Sequence, residues 1–279
     1  MTAPQETQKE KAARFLALHG GPRPLLMPNA WDAGSAKLLA SLGFAALATT
    51  SSGFAATLGR LDGWVTRDEA LAHGATLAAA TDVPVSADLE NGFADDPAQV
   101  AETVALAVET GLAGCSVEDY AGRVANQIYE IERATERVRA AAEAAHRGPV
   151  RLVLTARAEN FIHQRPDLAD TITRLQRYQE AGADVLFAPG VVQAADLRQL
   201  VASVDRPVSV LALPGTPSVD ELAEIGVRRV SVGGAFAWTA IAALVEAATE
   251  LRDHGTFGYL ARIPAGSKAA RAAFGTTPS

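Results

Sequence analysis

Thr110-Gly111-Leu112-Ala113-Gly114-Cys115-Ser116-Val117-Glu118-Asp119 holds the plan of the chain in ten residues. Gly111 stands where an amphipathic run should stop, because a left-handed cap is easiest for a residue without Cβ. Residues 113–117 are then apolar with no period of two, the pattern of a strand buried on both faces. The run ends in two carboxylates, which are costly beside a dry core unless something pairs with them. The order recurs. Leu42-Gly43-Phe44 and Ala181-Gly182-Ala183 are further stops followed by apolar strands. Pro84-Val85-Ser86-Ala87 runs into Asp88-Leu89-Glu90, and Arg151-Leu152-Val153-Leu154-Thr155-Ala156 runs into Arg157-Ala158-Glu159. The C-terminal edge of parallel strands is where α/β proteins build active sites. Several oxygen ligands converging there suit a hard cation such as Mg²⁺.

Outward from this stretch, eight strand candidates fall near 24–28, 44–49, 83–88, 113–118, 151–157, 184–188, 207–211 and 228–232. Helix candidates alternate with them near 32–42, 66–81, 97–110, 130–147, 167–181, 193–203, 217–225 and 235–252. Thr66 precedes Glu69 at capping-box spacing, and Asp96-Pro97 is an N-cap followed by proline at the first helical position. Gly226 is a further stop. Eight βα units predict an α/β fold, a (β/α)₈ TIM-type barrel. The alternative is an open doubly wound sheet, but no Gly-x-Gly-x-x-Gly follows the first strand. Residues 5–19 predict an extra N-terminal helix. The tail, Gly- and Ala-rich around Gly266-Ser267-Lys268, predicts a C-terminal helical arm over about 253–279 or a partly disordered segment. No linker divides the chain, so residues 1–279 are expected to form one barrel domain with its core at about 24–252.

Composition narrows the partners. A chain of 279 residues with 48% hydrophobic content suits one closed barrel. The net charge of −7 offers no basic field to release counterions, so nucleic acid is not expected as a partner. A small anion remains open where a local cation or metal receives it. The single Cys115 excludes an intrachain disulfide framework and a Cys-based zinc site. The first twenty residues carry no apolar signal core, and no run of eighteen apolar residues occurs. The expectation is a cytoplasmic protein with no membrane partner.

The strand-end residues each carry two readings. Asp88 and Glu90 would share a face if the strand continued to Glu90; otherwise Asn91-Gly92 begins a polar turn. Glu118 and Asp119 are adjacent and should point opposite ways. Arg157 could balance these acids or bind a substrate carboxylate with its planar fork. Thr49-Thr50-Ser51-Ser52-Gly53 could present backbone N–H groups to a carboxylate or oxyanion, or be an ordinary loop. Asp62 is unremarkable alone. Cys115, inside a strand, reads as a small core hydrophobe. The five histidines, at 19, 73, 146, 163 and 254, form no pair at ligand spacing. Gly233-Gly234 could hold an anion at a helix N-terminus or merely let the chain turn.

Several motifs stand in order along the chain: Met27-Pro28-Asn29-Ala30-Trp31-Asp32-Ala33-Gly34-Ser35-Ala36; Thr50-Ser51-Ser52-Gly53; Leu58-Gly59-Arg60-Leu61-Asp62; Ser86-Ala87-Asp88-Leu89-Glu90-Asn91-Gly92-Phe93; Ser116-Val117-Glu118-Asp119; and Thr155-Ala156-Arg157-Ala158-Glu159-Asn160-Phe161. Together they resemble the isocitrate lyase/phosphoenolpyruvate mutase superfamily over about residues 28–252. The resemblance implies that Asp88 binds Mg²⁺ directly, with Mn²⁺ the alternative metal. It implies that Asp62, Glu90 and Glu118 hold the metal's water shell and that Arg157 meets the substrate carboxylate. Thr50, Ser51 and Ser52 would cradle the 2-oxo acid end, with Asn29 beside them. Asp62, Glu90, Glu118 and Arg157 would form the catalytic set. The family also implies homo-oligomers, dimers or tetramers, with a C-terminal helix swapped between barrels.

One segment departs from the pattern. The family's lyases carry Lys-Lys-Cys-Gly-His or Lys-Arg-Cys-Gly-His on a gating loop after the fourth strand. Here residues 120–129 read Tyr-Ala-Gly-Arg-Val-Ala-Asn-Gln-Ile-Tyr, where Asn126 could serve as a polar gate residue. The expectation is therefore a Mg²⁺-dependent lyase acting on a small 2-oxo or 2-hydroxy di- or tricarboxylate through an enolate. Decarboxylation would demand least of a missing loop acid. The rivals are a 2-oxo acid binding protein with vestigial catalysis and phosphonate P–C bond chemistry.

Overall fold

The computed structural model describes residues 6–122 and 127–275. Its strands are β1 (Leu25–Met27), β2 (Asn29–Ala30), β3 (Leu47–Thr49), β4 (Val85–Asp88), β5 (Gly114–Glu118), β6 (Val153–Arg157), β7 (Val185–Phe187), β8 (Val208–Leu211) and β9 (Arg229–Ser231). All pairings between them are parallel, in the order β1-β9-β8-β7-β6-β5-β4-β3-β2. β1 and β2 are one path broken at Pro28, which has no N–H to donate. The first half pairs with β9 and the second with β3, so this path closes the sheet into a barrel. The eight expected strands are all present.

The helices are α1 (Gln8–Leu18), α2 (Ala33–Ser41), α3 (Ser51–Thr57), α4 (Arg67–Ala80), α5 (Pro97–Val108), α6 (Ile131–His146), α7 (Leu168–Glu180), α8 (Ala194–Ala202), α9 (Val219–Ile225), α10 (Ala235–His254) and α11 (Ile263–Phe274). Their ends follow the local signals. Thr66 and Glu69 close a reciprocal capping box on α4, and Asp96 caps α5 ahead of Pro97. Gly111, Gly43 and Gly182, the three like stops, all adopt the left-handed region. Between sheet and helices lies a shell of buried Leu, Val and Ala that includes Cys115.

A second, smaller core fills the lower barrel. Ala12 and Phe15 of α1 meet Leu25, Ala46, Ala113, Val153 and Val185, residues at or just before strand starts. The expected N-terminal helix is thus a plug across the N-terminal end of the barrel. That end is closed, and the C-terminal end is left open for a site.

Three expectations are decided. The strand at Asp88 does not continue to Glu90, which turns into the left-handed region at φ 48°. The hydroxyl-rich segment after β3 is not a loop but the start of α3. The C-terminal tail, expected as a helical arm or a partly disordered segment, is a helical arm over its described residues: a 3₁₀ turn (Gly258–Arg262) and then α11, which packs on α2. No helix among the described residues is long and apolar enough to cross a membrane.

Candidate active site

The site grows from the upper ends of β3 to β6. Thr49 Oγ1 accepts a hydrogen bond from Asp88 N at 2.8 Å and ties the ends of β3 and β4. Arg157, at the end of β6, then gathers three acids. Its Nε donates to Glu159 Oε1 (2.8 Å), its Nη1 to Asp88 Oδ1 (3.0 Å), and its Nη2 lies 3.2 Å from Glu118 Oε2. The register Glu118↔Arg157 between β5 and β6 makes this meeting obligatory. Asp88 Oδ1 also accepts from Glu90 N (3.2 Å), so the turn after β4 folds back on its own strand end.

Three carboxylates on one guanidinium leave the wall acid-rich. Burial pushes the Glu118 carboxyl well above the ordinary range; Arg157 opposes this, while Glu159, Asp88 and Glu90 add to it. Burial likewise pushes Glu159 up to about 6, against the pull of Arg157. Burial works against the charge of Arg157, but its three acids hold it protonated well above the usual value. Glu159 is held from behind: its N donates to Asp119 Oδ1 at 2.8 Å. Asp119 Oδ2 accepts from Arg174 Nη1 (3.1 Å) and Tyr178 OH (2.5 Å). Asp119 therefore faces away from the site as an anchor, the direction opposite to Glu118 that strand alternation requires.

The facing wall comes from α3 and the β2–β3 side. Thr50 is extended and caps α3 by accepting from Gly53 N. Gly53 is required there, because a Cβ would stand 2.6 Å from Thr50 Cγ2 and 3.1 Å from Trp31 and Ala237. Asn29 Oδ1 accepts from Val232 N (3.1 Å) and Gly233 N (2.9 Å), while its Nδ2 donates to the Thr49 carbonyl (2.7 Å). The Gly233 amide, considered above as an anion donor, is thus committed to Asn29.

Two adjoining cavities, of about 190 and 370 Å³, share Ser51, Asp62 and Arg157. The deeper one also takes in Asn29, Thr50, Ser52 and Asp88, and the outer one Glu90 and Glu118. All nine residues singled out from the sequence therefore line one connected space. Asp62, remote from the strands, reaches it on the exposed loop after α3. Cys115 does not reach it: the residue is fully buried and its thiol is pushed up to about 12 by burial. Asn126 lies outside the described residues.

Sequence reasoning missed three members. Glu159 was quoted but given no role. His163, stacked on Tyr120 at 3.6 Å, stands 3.7 Å from Glu159 at the outer cavity. Arg229 lies on the floor of the deep cavity. Its signal was visible as a charged residue inside a barrel strand.

Among the described residues, no three Asp, Glu, His or Cys side chains stand where they could together hold a metal ion. The donor chemistry nevertheless suits Mg²⁺, which keeps several waters and takes one or two carboxylates directly. Three acids here share Arg157, with Asp62 and Glu90 on the same space, and a divalent cation would relieve that excess.

The chain is similar to several known proteins. The sequence profile described as phosphoenolpyruvate phosphomutase matches residues 15–252. An uncharacterised protein of Mycobacterium tuberculosis is 33% identical over 241 residues, covering 86% of this chain and 89% of its own. The 2-methylisocitrate lyase of Escherichia coli is 30% identical over 211 residues, covering 71% and 70%. The oxaloacetate decarboxylase of Pseudomonas entomophila is 29% identical over 186 residues, covering 64% and 62%. Among solved structures, a Burkholderia cenocepacia J2315 protein provisionally described as a lyase/mutase superposes with TM-score 0.91 at 49% identity, covering 95% of each chain. A 2,3-dimethylmalate lyase superposes with TM-score 0.80 at 27% identity, covering 89% of each.

Proposed function

This chain belongs to the phosphoenolpyruvate mutase/isocitrate lyase superfamily and is an enzyme of lyase type; from that premise we propose that it cleaves a small 2-oxo or 2-hydroxy di- or tricarboxylate in a Mg²⁺-dependent reaction through an enolate. One observation carries the proposal: Arg157 clasps Asp88, Glu118 and Glu159 at the C-terminal strand edge, where acid exceeds base. Asp88 would hold the metal directly, and Asp62, Glu90 and Glu118 would hold its waters. Mg²⁺ when bound supplies charge to stabilise developing negative oxygen. Arg157 orients the substrate carboxylate. The Thr50–Ser52 segment lends N–H and hydroxyl donors to the enolate oxygen, and Asn29 keeps that segment in register with β9. Glu159, raised to about 6, can hold or release a proton near neutrality beside His163.

Decarboxylation fits best within this class. Its leaving group needs no protein acid, and residues 120–129 contain no Lys, Cys or His. The relation to an oxaloacetate decarboxylase supports the same choice. We read the protein as a cytoplasmic homo-oligomer, in keeping with its small-acid relatives. Turnover of oxaloacetate and of methylisocitrate, with Mg²⁺ and after chelation, tests the proposal. Metal-dependent loss of oxaloacetate is the expected result. The missing loop motif also favours a second reading, a 2-oxo acid sensor; tight binding with no turnover of either acid would select it.

A further inference from the structure

The deep cavity ends on a cation that the reading above leaves unused. Arg229, on β9, is 3% exposed. Its Nε donates to Ser209 Oγ (2.9 Å), and its Nη1 donates to Thr155 Oγ1 (3.1 Å) and faces His19 Nε2 (3.4 Å). All three partners are neutral. His19 Nδ1 lies 2.8 Å from the Phe15 carbonyl, so Nδ1 carries the ring proton and Nε2 accepts. Burial, and then the charge of Arg229, push that imidazole down to about 4. Nη2 has no hydrogen-bond partner among the described residues, and the residue lines the cavity.

Among the described residues no carboxylate pairs with Arg229. Burial first, and then the nearby Arg157, push the Arg229 pKa down to about 9. Arg157 differs, with each of its nitrogens on an acid. Thr155 and Arg157 are two apart on β6 and share a face, so Arg229 is braced one layer beneath Arg157. An arginine this deep without an acid is a cost to the fold. Neutral acceptors position its fork without cancelling its charge, the arrangement of a receptor for an incoming anion.

We propose that Arg229 receives a second carboxylate of the substrate, the one that does not meet the acid-rich wall. The enzyme thereby selects 2-oxo or 2-hydroxy dicarboxylates over monocarboxylates. This assignment rests on the proposed action on 2-oxo or 2-hydroxy di- or tricarboxylates and adds the residue that makes the second carboxylate a requirement.

Malate and lactate differ by one carboxylate and test the assignment by calorimetric titration in the presence of Mg²⁺. Wild type should bind malate at least about tenfold more tightly than lactate. Arg229→Gln should weaken malate by about ten- to a hundredfold, the size of a lost charge-assisted contact, and leave lactate within about twofold. Arg229→Lys should recover part of the loss. The ligand-free Arg229→Gln protein should melt at or above wild type, since an uncompensated charge has gone; a purely structural arginine would lower the melting temperature. An equal loss for both acids, an unmoved malate-to-lactate ratio, or a variant that cannot fold each overturns the proposal. If wild type binds both acids without preference, the Arg229 assignment alone fails. If it binds neither acid, the 2-oxo or 2-hydroxy acid reading fails with it.

Discussion

Arg157 and its three carboxylates set the behaviour of the site residue by residue. Removing the charge of Asp88 leaves Arg157 paired to Glu118 and Glu159. Asp88→Asn should therefore fold with an unchanged or raised melting temperature and lose the stabilisation that Mg²⁺ confers on wild type. That increment is about 2.7 kcal/mol at a hundred times the dissociation constant. Thermal melts with and without Mg²⁺ check this, and an equal metal increment in the variant would remove Asp88 from the metal site. Glu159 predicts a pH effect of definite sign. Its folded pKa, about 6, lies above the ordinary 4.5. Its stabilising share is fully present below pH 4.5 and lost as pH rises through about 6. Relative to Glu159→Gln, wild type should thus lose on the order of 2 kcal/mol between pH 4 and pH 8. Urea unfolding of both proteins at the two pH values measures the difference; a constant difference would mean that Glu159 titrates alike in the folded and unfolded chain.

At the scale of elements, two neighbouring residues of β5 face opposite sides of the sheet, and each predicts its own loss of stability. Gly114 is the place where α1 comes closest to the barrel. A Cβ there would stand 2.7 Å from the Val153 carbonyl and 2.8 Å from the Phe15 ring. Gly114→Ala should cost about 1–3 kcal/mol or more by overpacking the plug. Cys115 faces the shell between sheet and helices. Cys115→Ser should cost about 1–3 kcal/mol for a buried hydroxyl without a partner, with turnover per folded molecule unchanged. Denaturant midpoints measure both costs, and active-site-normalised rates check the turnover of Cys115→Ser. Lost turnover in a stable Cys115→Ser protein would make the thiol catalytic, against its burial and raised pKa. α3 adds a lesson about elements: a turn rich in Thr and Ser can cap a helix as readily as form a loop, and the cap at Thr50 prevails because Gly53 packs under it.

The whole molecule carries an apolar surface that one copy leaves uncovered. Trp238, Leu244 and Val245 on α10 and Phe257, Leu260 and Ile263 beyond it are all exposed, with Leu244 at 68%. Large apolar side chains left exposed in such number on neighbouring segments point to an association surface. Sedimentation of wild type should give a multiple of 29.0 kDa, and the double change Leu244→Glu, Val245→Glu should shift it toward that single mass. A wild-type protein that sediments at 29.0 kDa would reject self-association through this face.

Much of the barrel could be read without coordinates because each of its signals is local. Gly111 stops a helix, residues 114–118 make a strand, and Glu118 ends it within a few positions of one another. Asp88 and Glu118 of the acid-rich wall were legible for the same reason, since each ends the strand that positions it. What remained hidden depends on residues far apart in the chain. Arg229 is defined by Ser209, Thr155 and His19, which are 20, 74 and 210 positions away. Nothing near Arg229 in sequence states that all three would be neutral. The N-terminal helix was visible by pattern, but its use as a plug required the barrel mouth to exist first. Local rules of period, cap and turn therefore determined which elements form. Closure of the sheet alone decided which side chains meet inside it, because a buried charge acquires its meaning from its partners in space.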